Sequence, residues 1–398
     1  MWVCLSLLSA SSLAALLWLA VLLDPARAWR LRPLVEEETK PPEPHVWPGV
    51  QVIIPAHNEE SVVGDALPSV LCQDYPGDCA VVLVDERSTD ATAVLARSLA
   101  NAEENAAPLT VVDGEPLPPG WLGKVWGLEQ GYREAKLAQP EYYLLTDADI
   151  VHEPLSLRRL VAESEDAALA LNSRMARLRC ESPAERLLIP AFVFFFNLLY
   201  PMRRVNDPGS PVAACAGGCV LVRAETLEAI GGLDCIRGEV IDDVNLARAV
   251  ASKDPRLRLA ISRHHVRSVR TYATLGPIWR MIRRTAFDEL DYSWLKLAGT
   301  IAGLLVLFAL PLASVLVSAG LGGAKAAGST ETQAWSLVAM GLAGLTALVL
   351  MRVAYGPAVA LFELRRRSAW TLSLAGTLYG LVTLDSAWQH LRRRGPSW

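Results

Sequence analysis

The segment Thr146-Asp147-Ala148-Asp149 places two carboxylates one residue apart, directly after the apolar run Tyr142 to Leu145. Alternate residues of a strand project to the same side, so a strand running on to Asp149 would turn both acids toward one hard cation. Mg2+ or Mn2+ favours carboxylate oxygens and keeps positions for phosphate. Asp147 and Asp149 are therefore a candidate metal site for a phosphorylated ligand. Acids that follow a strand are also ordinary turn residues, so the elements around them have to decide.

Val50 to Pro55, Ala80 to Asp85, Leu109 to Asp113 and Tyr142 to Thr146 are short apolar runs, separated by stretches of helical spacing such as Ser61 to Leu71 and Lys124 to Ala138. This alternation predicts an α/β fold with a mainly parallel central sheet covered on both faces. In such sheets ligands bind beyond the carboxyl ends of the strands. The first run ends in Pro55-Ala56-His57-Asn58-Glu59-Glu60 and the second in Asp85-Glu86-Arg87-Ser88-Thr89-Asp90. Both ends are rich in acceptors for the N–H groups of a base or the hydroxyls of a ribose. Ser88 or Asp90 also suits a helix cap, and Glu60 and Thr89 are read as capping residues. With the paired acids beside them, the two ends are better explained as a nucleotide pocket.

Lys124 follows Gly120-Trp121-Leu122-Gly123, a turn-rich approach to a helix whose N-terminal amides attract an anion. It is read as a diphosphate or donor-sugar contact, against the alternative of a solvated lysine at a helix start.

The 398 residues carry 38 Lys and Arg against 42 Asp and Glu, a net charge of -4. With no basic stripe interleaved with aromatics, this balance argues against a nucleic-acid partner. The 7 Cys include no CxxC pair and no Cys/His cluster of zinc spacing. Cys72 with Cys79, and Cys215 with Cys219, are read as buried reduced thiols.

Met1 to Leu23, Leu297 to Leu321, Trp335 to Met351 and Ala369 to Leu384 are uncharged, and runs of about 20 apolar residues cross a bilayer. The expected organisation is an N-terminal transmembrane helix (1-23), a basic, Pro-rich linker (24-48), a cytoplasmic domain (49-272), an interfacial amphipathic segment (273-294) and about three C-terminal transmembrane helices (295-390). Ala26-Arg27-Ala28 resembles a signal-peptide cleavage site. An uncleaved anchor is preferred, because no Lys or Arg precedes the first run whereas Arg27, Arg30 and Arg32 follow it. The positive-inside rule then puts the central domain in the cytoplasm. Three spanning C-terminal runs would leave Arg392 to Arg394 outside against that rule, so one run is expected to be re-entrant or interfacial. Leu187 to Tyr200, with Phe192, Phe194, Phe195 and Phe196, reads either as an interfacial helix or as a buried core helix.

VIIPAHNEE, VVLVDERSTD, LLTDADI and VIDDVNLARAV, in this order from about Val50 to Thr285, resemble the family 2 glycosyltransferases. The likeness implies the GT-A nucleotide-diphospho-sugar transferase fold. PLPPGWLGKVWGLEQG (Pro116 to Gly131), AGGCVLVRAETLEAIGG (Ala216 to Gly232) and the terminal LVTLDSAW resemble more narrowly the hopanoid-biosynthesis-associated membrane glycosyltransferases, and this second likeness covers nearly the whole chain. It implies a bacterial inner-membrane enzyme acting on a lipid acceptor, and it names no protein partner.

The resemblance also implies roles. Pro55, Ala56, Asn58, Glu59, Asp85, Ser88 and Lys124 would contact the nucleotide sugar, and Asp147 and Asp149 would place Mg2+ or Mn2+ on its diphosphate, one acid alternatively holding a ribose or sugar hydroxyl. Asp243 would be the general base that takes the acceptor proton, giving inversion at the sugar carbon. Asp242, where the family carries Glu, would orient acceptor or base, and its alternative is a helix-start charge. Arg280 and Arg283, after Trp279, resemble the family's arginine and tryptophan motif and would bind the diphosphate. Arg284 stands where that motif closes on an aromatic, and anchoring to anionic headgroups is the competing reading. The expected function is membrane-bound, inverting transfer of a sugar from a UDP-sugar to the hydroxyl of a hopanoid or another lipid. The alternatives are a processive polysaccharide synthase and a non-catalytic membrane lipid-binding or transport protein.

Overall fold

The computed structural model describes residues 2–31, 41–99, 106–324 and 331–392. Arg32, Arg393 and Arg394 lie outside them. The chain divides into two units, one of Leu34–Arg179 with Met202–Thr271, the other of Met1–Pro33, Cys180–Pro201 and Tyr272–Ser397. The segment Cys180–Pro201, inside the expected 49-272 domain, groups with the helical unit.

The first unit is an α/β domain. Its strands are β1 Val50–Ala56, β2 Cys79–Asp85, β3 Leu109–Asp113, β4 Tyr142–Thr146, β5 Ile150–His152, β6 Leu171–Met175, β7 Cys219–Arg223, β8 Leu257–Ile261 and β9 Val266–Ser268. Seven form one sheet in the order β3-β2-β1-β4-β7-β6-β8, and β5 pairs with β9 apart from it. β1, β2, β3 and β4 run parallel, as do β6 and β8, while β7 is antiparallel to both neighbours. The central strands β1, β2 and β4 are apolar and almost wholly buried, as strands covered on both faces must be.

The helix Gly123–Ala135 lies directly on β1 and β2, and glycine makes that approach feasible. A Cβ at Gly131 would come within 2.4 Å of Ile53 Cγ2. This close seat fixes the N-terminal turn of the helix, which carries Lys124. Of the cysteines, Cys215 and Cys219 are buried as expected, but Cys79 is only partly covered and Cys72 is exposed at the end of the helix Glu60–Leu71. All described cysteines are free.

The second unit is helical: Trp2–Leu23, Pro183–Leu199, Leu275–Ala286, Trp294–Leu304 continuing through a π-turn at Leu305–Ala309 into Leu310–Ala324, Glu331–Leu361, and Leu372–Leu391. Among the described residues three segments are long and apolar enough to cross a membrane, Val3–Leu23, Trp294–Gly320 and Gln333–Leu361. The helix Leu372–Leu391 is not among them. Away from water, polar groups must be satisfied within the protein, and they are at the π-turn. Ser373 Oγ donates to the Phe308 carbonyl and Trp18 Nε1 to that of Leu307 at 3.3 Å. Ser11 and Ser314 share a buried 2.7 Å bond. The aromatic helix Pro183–Leu199 starts on a capping box, Ser182 with Glu185. It buries Phe194 against Trp18 and Tyr355, which favours the core-helix reading of this segment. Asp385 accepts from Trp279 Nε1 at 2.8 Å and lies 3.3 Å from Arg283 Nη1, while Ser386 Oγ donates to the Arg283 carbonyl at 2.6 Å. The LDS of the terminal motif thus clasps the helix Leu275–Ala286.

Candidate active site

In the register of the sheet Ala56 stands opposite Asp85, so β1 and β2 end side by side. Beyond Ala56 the chain turns through Asn58 at φ 56°, a left-handed conformation that Asn tolerates better than most residues. The turn is held from both sides. Asn58 N–H donates to Ser88 Oγ at 2.9 Å, and Asn58 Oδ1 accepts from Thr89 N–H at 2.8 Å. Asp85 is buried, and its Oδ2 accepts from Ser88 N–H at 3.3 Å. Its Oδ1 is buried and has no hydrogen-bond partner among the described residues. An unpaired buried acceptor is costly, and a ligand hydroxyl or N–H would satisfy this one.

Glu86, also buried, was passed over in the sequence as one acceptor in a rich segment. It accepts from Gln130 Nε2 at 2.5 Å. Burial outweighs that bond and pushes the Glu86 carboxyl up to about 7.

β4 ends at Thr146, so Asp147 and Asp149 lie in the turn before β5 and not on a strand. The expectation that strand alternation aligns them therefore fails, and the two acids have different partners. Asp147 Oδ1 is 2.9 Å from Lys124 Nζ. Asp149 Oδ2 accepts from Ser268 Oγ and lies 3.4 Å from Arg270 Nε. Arg270 also donates to both oxygens of Glu59 at 2.7 and 2.9 Å. Sequence reasoning missed Ser268 and Arg270, because the bond from Arg270 to Glu59 closes over 211 positions and no local motif announces it.

Lys124 is the hinge of the site. Besides Asp147 it lies 3.3 Å from Asp242 Oδ2, and its side chain is only 24% exposed. Burial pulls the Lys124 ammonium down, yet Asp147 and Asp242 together outweigh it and hold the pKa above the ordinary lysine value. A cation on the first turn of a helix opposes the macrodipole, so these carboxylates are what keep it there. The solvated-lysine alternative does not describe this environment.

Asp242 and Asp243 open the helix Asp242–Ala251. Asp243 Oδ1 accepts from Val244 N–H at 2.8 Å and Oδ2 from Gly217 N–H at 3.1 Å. Burial, then the Asp242 carboxylate, raise the Asp243 carboxyl above its usual range. A raised carboxyl suits a group that must accept a proton near neutral pH. An alanine at Gly217 would crowd the site: its Cβ would stand 3.2 Å from Lys124 Nζ and 3.4 Å from Asp243 Cβ, so these side chains would have to shift by a few tenths of an ångström.

The charge balance bears on a metal. Asp147, Asp242 and Asp243 surround one ammonium, and burial, then the nearby Asp149 charge, raise the Asp147 carboxyl despite Lys124. Mg2+ or Mn2+ on a phosphorylated ligand needs only one or two carboxylates, phosphate and water completing the shell. Asp147 fits that role, and the negative surplus supplies the attraction. Among the described residues no three His, Cys, Asp or Glu side chains gather into a ready-made cluster, and Asp149 is engaged by Ser268 and Arg270. Arg280 and Arg283 lie on the helix Leu275–Ala286 of the helical unit, where Arg283 pairs with Asp385.

A mostly parallel sheet whose strand ends carry Asn58, Asp85 and Asp147, with an acidic helix start across Lys124, defines a GT-A-like fold. Comparison with known proteins points the same way. Residues 51–231 match the family model Glycosyl transferase family 2. An N-acetylglucosaminyltransferase of Mesorhizobium japonicum is 28% identical over 195 residues, 47% of this chain and 42% of the relative. An undecaprenyl-phosphate 4-deoxy-4-formamido-L-arabinose transferase of Pseudomonas fluorescens is 29% identical over 122 residues, 29% of this chain and 32% of the relative. This chain thus spans less than half the length of these curated relatives. Among solved structures, the mannosyltransferase PcManGT of Pyrobaculum calidifontis, in complex with GDP-Man and Mn2+, aligns over 96% of this chain and 99% of its own. The TM-score is 0.51 at 21% identity, a likeness of fold.

Proposed function

We propose that the protein is a membrane-bound, inverting glycosyltransferase that moves a sugar from a nucleotide-diphospho-sugar, UDP-linked, to the hydroxyl of a lipid of the hopanoid or a related class. The observation that carries this reading is Lys124, 2.9 Å from Asp147 and 3.3 Å from Asp242, because it joins a donor-type strand end to an acidic helix start in one unit. The names of the relatives agree in reaction class, and that of the Pseudomonas protein adds a lipid phosphate.

In this reading Asn58, Asp85 and Ser88, with the backbone of Pro55 and Ala56, take the nucleoside, the unpaired Asp85 oxygen accepting from it. Glu59 with Arg270, and Lys124, frame the diphosphate. A divalent ion held by Asp147, and by Asp149 if it exchanges its present partners, would stabilise the charge that develops on the leaving diphosphate. Asp243 accepts the proton of the acceptor hydroxyl while that oxygen attacks the sugar carbon opposite the departing diphosphate. Asp242 holds Lys124 toward this reaction and thereby orients both halves. Arg280 and Arg283 remain candidates for the diphosphate, Arg283 on condition that it leaves Asp385.

The proposed location is the bacterial inner membrane with the catalytic domain in the cytoplasm. The three candidate spans give a consistent topology: Arg27 and Arg30 after the first, and Arg365, Arg366 and Arg367 after the third, fall on one side. If Leu372–Leu391 does not cross, Arg392 stays on that side as well.

The test is incubation of the purified full-length protein with labelled nucleotide sugars and a bacterial lipid extract, with and without EDTA. Label should enter a lipid and EDTA should abolish the transfer. Hydrolysis of the donor with no labelled lipid would refute the acceptor assignment.

A further inference from the structure

Arg352 is the one charged residue in the candidate span Gln333–Leu361. A helix needs about 20 residues to cross the hydrocarbon, and counted from Gln333 that length ends at Arg352. A crossing that begins at Gln333 would put the residue at headgroup depth, on the side where Arg365, Arg366 and Arg367 follow. Its guanidinium lies over the ring of Trp370, 5.3 Å from the centroid, and Trp is a residue of membrane interfaces.

What Arg352 lacks is an anion. Among the described residues it has no carboxylate partner, and its Nε is buried without an acceptor. One turn on, and so on the same helix face, Tyr355 is 1% exposed, and its hydroxyl is also buried without a partner. Two unsatisfied polar groups on one face of a membrane helix are expensive, and guanidinium and phenol together match one acceptor type, the oxygens of a phosphate. The π face of Trp370 holds the guanidinium in place.

We infer that Arg352, Tyr355 and Trp370 form a binding site for the phosphate of a lipid. The site belongs to the helical unit alone and does not depend on the transfer chemistry proposed above. Its ligand comes from one of two sources with the same chemistry, an anionic membrane phospholipid or an isoprenoid lipid phosphate.

The test uses full-length protein in neutral detergent, with native mass spectrometry of bound lipid after addition of phosphatidylglycerol, undecaprenyl phosphate or phosphate-free diacylglycerol, in the absence of sugar donor. The wild type should retain the phosphate lipids and not diacylglycerol. Arg352→Gln should weaken retention about tenfold or more, the scale of a charge-assisted bond. Tyr355→Phe, which removes one hydroxyl and keeps the packing, should weaken it about threefold to tenfold. Equal retention of both phosphate lipids assigns the site to bulk phospholipid, and preference for undecaprenyl phosphate assigns it to an isoprenoid ligand. Unchanged retention in both variants, or equal retention of diacylglycerol, overturns the inference. A failure of sugar transfer would leave this binding result standing, which separates the two proposals.

Discussion

Glu86→Gln should stabilise the α/β unit at alkaline pH and do little at acid pH. Glu86 ionises in the unfolded chain at its ordinary value of 4.5, and in the folded chain only at about 7, because burial disfavours its charge. A carboxyl raised on folding makes the folded state the one that holds the proton, so its stabilising contribution is whole below the unfolded value, falls as pH rises and is lost above the folded one. At about 1.4 kcal/mol per unit, the ionised side chain costs the fold up to about 3 kcal/mol at pH 8, and less than about 1 kcal/mol at pH 5. Glutamine mimics the protonated form and can still accept from Gln130. The expected gain is therefore about 2 kcal/mol larger at pH 8 than at pH 5, or about 4–8 °C in unfolding temperature for a domain of this size. Thermal unfolding of wild type and variant, followed by tryptophan fluorescence at both pH values, measures that difference directly. An equal gain at both pH values, or none at pH 8, would refute the buried-carboxyl argument.

Three further outcomes follow from the centre of the site. Lys124→Gln leaves Asp147 and Asp242 facing each other without a counter-ion, and should weaken donor binding about tenfold or more by calorimetry. Asp243→Asn should lower kcat by about 10²- to 10⁴-fold while donor affinity stays within a few fold; in the wild type the rate should rise with pH through a value above the usual carboxylate range, because the base works only when deprotonated. Gly217→Ala pushes a methyl toward Lys124 Nζ and Asp243; kcat should fall about tenfold or more with little change in unfolding temperature, whereas wild-type kinetics would show that the pocket gives way.

Much of the donor side was legible because it is local. Apolar runs bounded by helical spacing gave β1 to β4 to within a residue, and ligand-binding residues of an α/β sheet follow directly from where such strands stop. The helix Gly123–Ala135 was equally visible, glycines included, although that Gly131 admits Ile53 is a tertiary fact. What escaped is what the chain assembles from afar. β6 to β9 are short, and no reading of their neighbours separates them from loop. Asp147 and Asp149 look like equals in the sequence, but the strand stops before them, so each was free to find a separate partner. Those partners, Lys124 and the pair Ser268 and Arg270, come from opposite directions along the chain. The cost of leaving Cys72 exposed is small, so nothing in its surroundings marked it as different from Cys215.

The reversed direction of β7 divides the labour of the site. Because β7 runs against β4, Thr146 pairs with Cys219 at the start of β7, and the segment before that strand is the one brought to the catalytic edge. The proposed donor contacts up to Asp149 come from segments before β7, Gly217 leads directly into that strand, and the proposed base Asp243 comes after it. The two proposed halves of the reaction are thus written mostly in separate stretches of chain, joined at Lys124 and by Arg270, which reaches back to Glu59 and Asp149. Because Lys124 Nζ and Asp243 both flank Gly217, a change there would touch both halves at once.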